Sequence, residues 1–293
     1  MRGRGVDHDV PVGQVSRGDS VTQVDRSVPA PAVVSTSPVH EARRPLVRAV
    51  GLSLRFGSTV VLEDVHLGFP QGTITALLGP TGSGKTTFLR SLNRMNDRVP
   101  GFRHSGDVLL DGRSLWDPDV QPMALRRRVG MLFQRPNPFP MSILDNVTSG
   151  LRAHRIAGRR ESRGIAELRL REVGLWDAVA GRLRDSPFRL SGGQQQLLCL
   201  ARALAVGPDV LLLDEPTSSL DPVSTAAVED LIRSLAPALT VIVVTHNLAQ
   251  ARRIAQRTAF FYQSRLVEVG DTAQVFDNPR EEQTASYVSG RIG

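Results

Sequence analysis

One eight-residue stretch constrains this chain more than any other: Gly79-Pro-Thr-Gly-Ser-Gly-Lys-Thr86, between the apolar run 74–78 and the helix-compatible run 87–93. It fits G-x-x-x-x-G-K-[ST] in a strand–loop–helix setting, the pattern of a loop that wraps phosphates. Glycines let backbone N–H groups converge on phosphate oxygens with no Cβ in the way, and the following helix N-terminus adds partial positive charge. A compact lysine ammonium reaches β- and γ-phosphates where a planar guanidinium fits poorly. Of the 36 basic residues only Lys85 is a lysine, so a chain that uses arginine everywhere else keeps lysine at this one place. A glycine-rich turn is the plain alternative, and the flanking strand and helix argue against it. The implied nucleotide cradle is Gly79, Pro80, Thr81, Gly82, Ser83, Gly84, Lys85, Thr86 and Thr87, with the Thr86 hydroxyl available to Mg²⁺.

Four apolar runs of strand length, 74–78, 129–133, 210–213 and 241–244, are continuous rather than alternating. That is how strands buried on both faces of a parallel sheet read. Each run leads into polar chemistry: the glycine loop, Gln134, Asp214 and His246. Ligands of open α/β sheets bind at the carboxyl ends of the strands, so these groups are expected along one edge. Residues 47–56 and 59–69 read as two further strands around a turn at Gly57-Ser58, an antiparallel β patch. Between about 141 and 207 there is no strand pattern; Leu151, Ile156, Ile165, Leu168 and Val173 recur at roughly helical intervals among arginines. The expected fold is an α/β P-loop nucleotide hydrolase: a mostly parallel core sheet, an antiparallel β subdomain and an inserted helical subdomain. Residues 1–45, rich in Val, Pro, Ser, Gly and Arg, are expected to be a disordered extension.

The run 210–213 ends in Asp214-Glu215. Beside a phosphate loop, Asp214 is placed to hold Mg²⁺ through its water shell and Glu215 to act as general base on the attacking water. Leu190-Ser-Gly-Gly-Gln194, ahead of the helical run 195–205, is a second anion site built on a helix N-terminus. One γ-phosphate does not need two such sites from one chain. A head-to-tail homodimer answers this, with Ser191, Gly192, Gly193 and Gln194 of one copy closing over the phosphate loop of the other.

In this order, the elements resemble the nucleotide-binding subunits of ABC transporters over about residues 46–293. The resemblance implies further roles. Phe56 stacks on adenine, against the competing reading of a ring in the β patch. Gln134 contacts Mg²⁺ or water and senses the membrane partner. Ser218-Ser-Leu-Asp221 couples the two sites, and His246 contacts the γ-phosphate, with a structural cap as its alternative. Finer stretches, Leu92-Asn-Arg-Met-Asn-Asp97, Phe133-Gln-Arg-Pro-Asn-Pro-Phe-Pro140 and Gly290-Arg-Ile-Gly293, resemble the phosphate-importing branch. That branch implies ATP hydrolysis with Mg²⁺, two transmembrane permease subunits and an external phosphate-binding protein. Leu197 departs from the family, which usually carries Arg there.

No run approaches the ~18 consecutive apolar residues of a spanning helix, and the N-terminus lacks a secretory h-region. The expected location is the cytoplasmic face of the cell membrane, as a peripheral subunit. A lone Cys199 allows no internal disulfide. The net charge of +7 reads as an arginine bias rather than a nucleic-acid footprint. Chromosome-organising ATPases with similar heads carry long coiled-coil arms between their motifs, whereas about a hundred residues separate Thr87 from Leu190 here. Translation-associated relatives carry two tandem cassettes, and an ordinary P-loop kinase has no use for Leu-Ser-Gly-Gly-Gln.

Overall fold

A computed structural model describes residues 45–292. Residues 1–44, nearly all of the segment read as a disordered extension, lie outside the described residues. Strands β1 (Pro45–Phe56) and β2 (Thr59–Pro70) pair antiparallel across the two-residue turn, with Phe56 opposite Thr59 and Gly57 at φ +56°. β3 (Ile74–Leu78) then dives into the core and hands over to α1 (Lys85–Ser91). β4 (Phe102–Leu110) and β5 (Arg113–Ser114) return to the first pair, giving a four-stranded antiparallel sheet in the order β2-β1-β4-β5.

The second sheet is the one whose strands run into the polar residues singled out above. After α2 (Pro122–Arg128), β6 (Val129–Leu132) forms its outer strand. Four helices follow with no strand between them: α3 (Ile143–Ala153), α4 (Arg159–Glu172), α5 (Trp176–Val179) and α6 (Gly192–Ala205). The chain re-enters the sheet as β7 (Val210–Asp214), crosses over through α7 (Pro222–Leu235) to β8 (Thr240–Val244), and through α8 (Leu248–Ile254) to β9 (Arg257–Tyr262). β10 (Arg265–Asp271) turns back antiparallel, and α9 (Thr272–Asp277) and α10 (Glu282–Val288) finish the chain. The order is β10-β9-β3-β8-β7-β6, parallel throughout from β9 to β6.

The continuous apolar runs have a direct structural cause. β3, β7 and β8 are buried at every position, and alternate side chains enter different cores. Ile74, Ala76, Leu78, Leu211, Leu213, Val241 and Val243 face the helical side. Leu77, Val210, Leu212, Ile242 and Val244 face α1 and the antiparallel sheet. A strand covered on both faces needs apolar residues at every position, and each buried Leu or Val contributes roughly 1.5–3 kcal/mol. Cys199 is a buried thiol in the helical-side core. No helix among the described residues is long and apolar enough to cross a membrane.

The sequence reading stopped at six strands. β4 escaped it because its first half is mostly exposed and carries no alternation, so its pairing with β1 makes it a strand. β9 and β10 were not read at all, and β9 is the neighbour that closes β3 on its second edge.

Candidate functional site

The carboxyl ends of β3, β6, β7 and β8 lie along one edge of the sheet, and the polar groups expected there meet. α1 begins at Lys85, not Thr87, so Lys85 and Thr86 sit in the helix's first turn. Gly79 (φ +143°) must be glycine, since a Cβ there would stand 2.0 Å from the Phe261 carbonyl oxygen. Thr81 and Gly82 form the exposed tip of the loop, while Ser83 and Lys85 are buried.

The Lys85 ammonium uses all three of its protons inside the loop. It donates to Gly79 O and Pro80 O, both at 2.7 Å, and to Ser83 Oγ at 3.3 Å. Burial pushes its pKa down, opposed by the nearby charges of Glu215 and Asp214. Thr86 Oγ1 donates to Asp214 Oδ1 at 2.9 Å, and Arg90 Nη2 lies 3.4 Å from Asp214 Oδ2. Asp214 is almost fully buried, and burial raises its pKa against the bonds from Thr86 and Arg90.

A hydroxyl and a carboxylate side by side are hard oxygen donors of the kind Mg²⁺ takes. Mg²⁺ is ordinarily held by one or two such groups together with substrate phosphates and waters. No cluster of three or more His, Cys, Asp or Glu able to hold a metal exists among the described residues.

Glu215 follows directly, in the left-handed region at φ +49°. Such a conformation in a non-glycine residue costs on the order of 1–3 kcal/mol and persists only where neighbours impose it. Here the Glu215 N–H donates to Val244 O at 2.9 Å. The turned backbone brings the carboxylate between two partners: Gln134 Nε2 donates to Oε2 at 3.0 Å, and His246 Nδ1 stands 3.1 Å from the same oxygen. Two side chains from beyond the ends of neighbouring strands thus converge on one oxygen of a third. Beside them opens a cleft of about 330 Å³ lined by Glu215, Thr217, Ser218, Thr245, His246 and Asn247.

The second glycine pair is not a loop ahead of a helix. Ser191 is the N-cap of α6, and the helix starts at Gly192 rather than Gln195. Ser191 Oγ accepts from the Gln194 N–H while the Gln194 side chain accepts from the Ser191 N–H, a complete capping box. Glycine's poor helix propensity hides such a start from a sequence reading. A Cβ on Gly193 would meet Leu220 at 3.0 Å. No hydrogen bond or ion pair joins residues 191–194 to 79–87 among the described residues.

Asp221 is the N-cap of α7, its Oδ1 accepting from the Val223 and Ser224 N–H groups at 3.0 Å. Phe56 ends β1 half-buried, its ring 5.6 Å from that of Phe102. Leu197 is half-buried against the helical-side core. An arginine there can lay its stem on the same surface and keep its head in water. Leu197→Arg is therefore expected to change stability by no more than about 1 kcal/mol in chemical denaturation.

Sequence reasoning missed Arg90, which is placed one helical turn beyond Thr86 and so reaches the same carboxylate. It also missed a buried network behind the cleft. Gln250 donates to Thr217 Oγ1 at 2.7 Å and to Glu229 Oε1 at 3.2 Å, and Glu229 is held by Arg253 at 2.7 and 2.8 Å.

Residues 62–218 match the family described as "ABC transporter". The chain is 64% identical over 254 residues to "Phosphate import ATP-binding protein PstB 2" of Mycobacterium tuberculosis (strain ATCC 25618 / H37Rv), covering 86% of this chain and 91% of that one. It is 66% identical over 257 residues to "Phosphate import ATP-binding protein PstB" of Mycobacterium intracellulare, covering 88% and 89%. Among solved structures, a bacterial Atm1-family ABC exporter with ATP bound matches with a TM-score of 0.71 at 24% identity, over 89% of this chain and 44% of that one. cbiO1 from Clostridium perfringens matches at 0.68 and 24%, over 83% and 94%. At that identity the two structures speak for the fold alone.

Proposed function

We propose, from the premise that this chain belongs to the ABC transporter family of ATP-binding proteins, that it is the ATP-hydrolysing subunit of a phosphate importer. The observation that carries the assignment is 64–66% identity across about nine-tenths of the length of phosphate-import ATP-binding proteins. The side chains on the sheet edge supply a mechanism consistent with it.

Residues 79–87 hold the phosphates of ATP through backbone N–H groups, with Lys85 turned from its own loop onto the β- and γ-oxygens. Thr86 and Asp214 hold Mg²⁺, which neutralises charge on the phosphates when bound. Glu215 takes a proton from the attacking water. Gln134 and His246, both within 3.1 Å of its Oε2, orient that carboxylate and line the space where the γ-phosphate sits. Phe56, at the end of β1, is the ring that stacks on adenine in this reading.

The fourth side of the γ-phosphate comes from a second copy. Ser191, Gly192, Gly193 and Gln194 present a capped helix N-terminus with no phosphate of its own chain to bind. A head-to-tail homodimer seats that end over the partner's phosphate loop, with the segment leading to Asp221 between the two sites.

The homodimer sits peripherally at the cytoplasmic face of the membrane on two permease subunits, without nucleic acid. Residues 134–140 form the docking surface, and the chain holds that surface rigid. Arg202 donates to Asn137 O at 3.0 Å and to Asn137 Oδ1 at 2.8 Å, and its guanidinium covers the Phe139 ring at 4.2 Å. Asn146 bonds both the N–H and the carbonyl of Phe139, at 2.7 and 3.1 Å. The Phe139 ring remains 42% exposed, an apolar surface ready for a partner.

Reconstitution tests the reading. With its permease subunits and an external phosphate-binding protein, the chain hydrolyses ATP faster when that protein carries phosphate than when it is empty. Equal stimulation by sulfate- or amino-acid-loaded systems overturns the phosphate assignment and leaves the ATPase standing.

A further inference from the structure

The C-terminal helix just ahead of Gly290-Arg-Ile-Gly293 has no role in the mechanism above, yet its Tyr287 reaches the phosphate loop. α10 is fastened at both ends. Glu268, buried, accepts from the N–H groups of Arg280 and Glu281 at 3.0 and 3.2 Å just ahead of the helix. Beyond it the chain turns at Gly290 (φ +75°), the Arg291 and Ile292 N–H groups return to Ser286 O, and Ile292 packs on the helical-side core. Between these anchors the Tyr287 ring lies 4.9 Å from that of Phe260 on β9, and its hydroxyl donates to Gly79 O at 3.2 Å. The two residues are 208 positions apart in sequence.

Gly79 O is the same carbonyl that accepts from Lys85 at 2.7 Å. Since all three ammonium protons are spent on Gly79 O, Pro80 O and Ser83 Oγ, any proton given to a phosphate is withdrawn from one of them. A buried carbonyl left without a donor costs about 1–3 kcal/mol. Pro80 O has a second donor within the loop itself, the Ser83 N–H at 3.3 Å, whereas the second donor to Gly79 O is the Tyr287 hydroxyl of α10. At 3.2 Å the tyrosine bond is long for O–H···O, as befits an acceptor already holding a closer ammonium.

We propose that Tyr287 is a positioning residue for nucleotide binding: it keeps Gly79 O satisfied when Lys85 turns to the phosphates, and so lowers the cost of releasing that lysine. The inference rests on the reading that residues 79–87 hold ATP. It gives the C-terminal helix a part in the affinity of a loop it never covers.

Tyr287→Phe tests it, since the ring stays on Phe260 and only the hydroxyl is removed. In the empty protein Lys85 still covers Gly79 O, so the melting temperature stays near the wild-type value. Affinity for MgATP and ADP, measured by titration calorimetry, falls about tenfold, because the bound state now orphans the carbonyl. In a Lys85→Ala background the pattern inverts. Tyr287 is then the one donor left to Gly79 O, so removing its hydroxyl lowers the melting temperature of the empty protein and costs no further nucleotide affinity. A Tyr287→Phe chain that fails to fold, melts far below wild type in the Lys85 background, or binds nucleotide as tightly as wild type overturns the proposal. A wild-type protein that does not bind MgATP overturns instead the nucleotide reading beneath it.

Discussion

A Glu215→Gln protein will bind MgATP at least as tightly as the wild type and hydrolyse it about 10²–10⁴-fold more slowly. The amide keeps the volume and still offers an oxygen to Gln134 Nε2, so the pairing at 3.0 Å can persist. The backbone strain at φ +49° is likewise unchanged, being fixed by the N–H bond to Val244 O rather than by the side-chain terminus. What disappears is the ability to take a proton from water. Affinity does not fall, because a negative charge beside the γ-phosphate has been removed while Lys85, Thr86 and Asp214 are untouched. The ATP so trapped holds two capped Ser191 ends over two phosphate loops, so a dimer accumulates with MgATP and dissolves without it. Phosphate-release kinetics and light scattering check the two halves; turnover near the wild-type rate would remove Glu215 from the role of base.

The edge that holds the candidate site was legible because its elements are local. A strand buried on both faces writes itself as an unbroken apolar run, and the polar residue that follows marks the sheet edge. Gly79, Asp214 and His246 are each found that way, and Gln134 follows within two residues of its strand. The pairing that makes Glu215 a bracketed carboxylate was not legible, since it depends on a left-handed backbone turn that no spacing reveals. Asp221 shows the opposite limit. The resemblance gave it a part in coupling two sites, whereas within one chain its carboxylate is occupied in capping α7. Both can hold at once, because a capped loop is a rigid one, but only the cap can be read from this chain's own atoms. Contacts between distant segments, such as Tyr287 with Gly79 or Gln250 with Thr217, leave no periodicity in the sequence.

Lys85→Arg is expected to reduce nucleotide affinity by at least about tenfold and turnover by about 10²-fold, although both side chains carry one positive charge. The loop around Lys85 accepts a compact ammonium: two carbonyl oxygens at 2.7 Å and a hydroxyl at 3.3 Å surround Nζ, with the residue 8% exposed. A guanidinium is flat, extends further and spreads its five donors in one plane, so it cannot match three acceptors grouped around a point. The loop has no slack to widen. At Gly79 a mere Cβ would strike the Phe261 carbonyl at 2.0 Å, and at Gly84 it would meet Leu62 and the Val61 carbonyl at 2.8 and 2.9 Å. The arginine is therefore forced outward over the exposed tip at Thr81 and Gly82, where phosphates have to enter. Calorimetric titration with MgATP and steady-state phosphate release measure the two losses. If the arginine protein binds and turns over like the wild type, the wall formed by β9 and β2 yields, and the lone lysine in a chain otherwise built on arginine has no physical reason to be there.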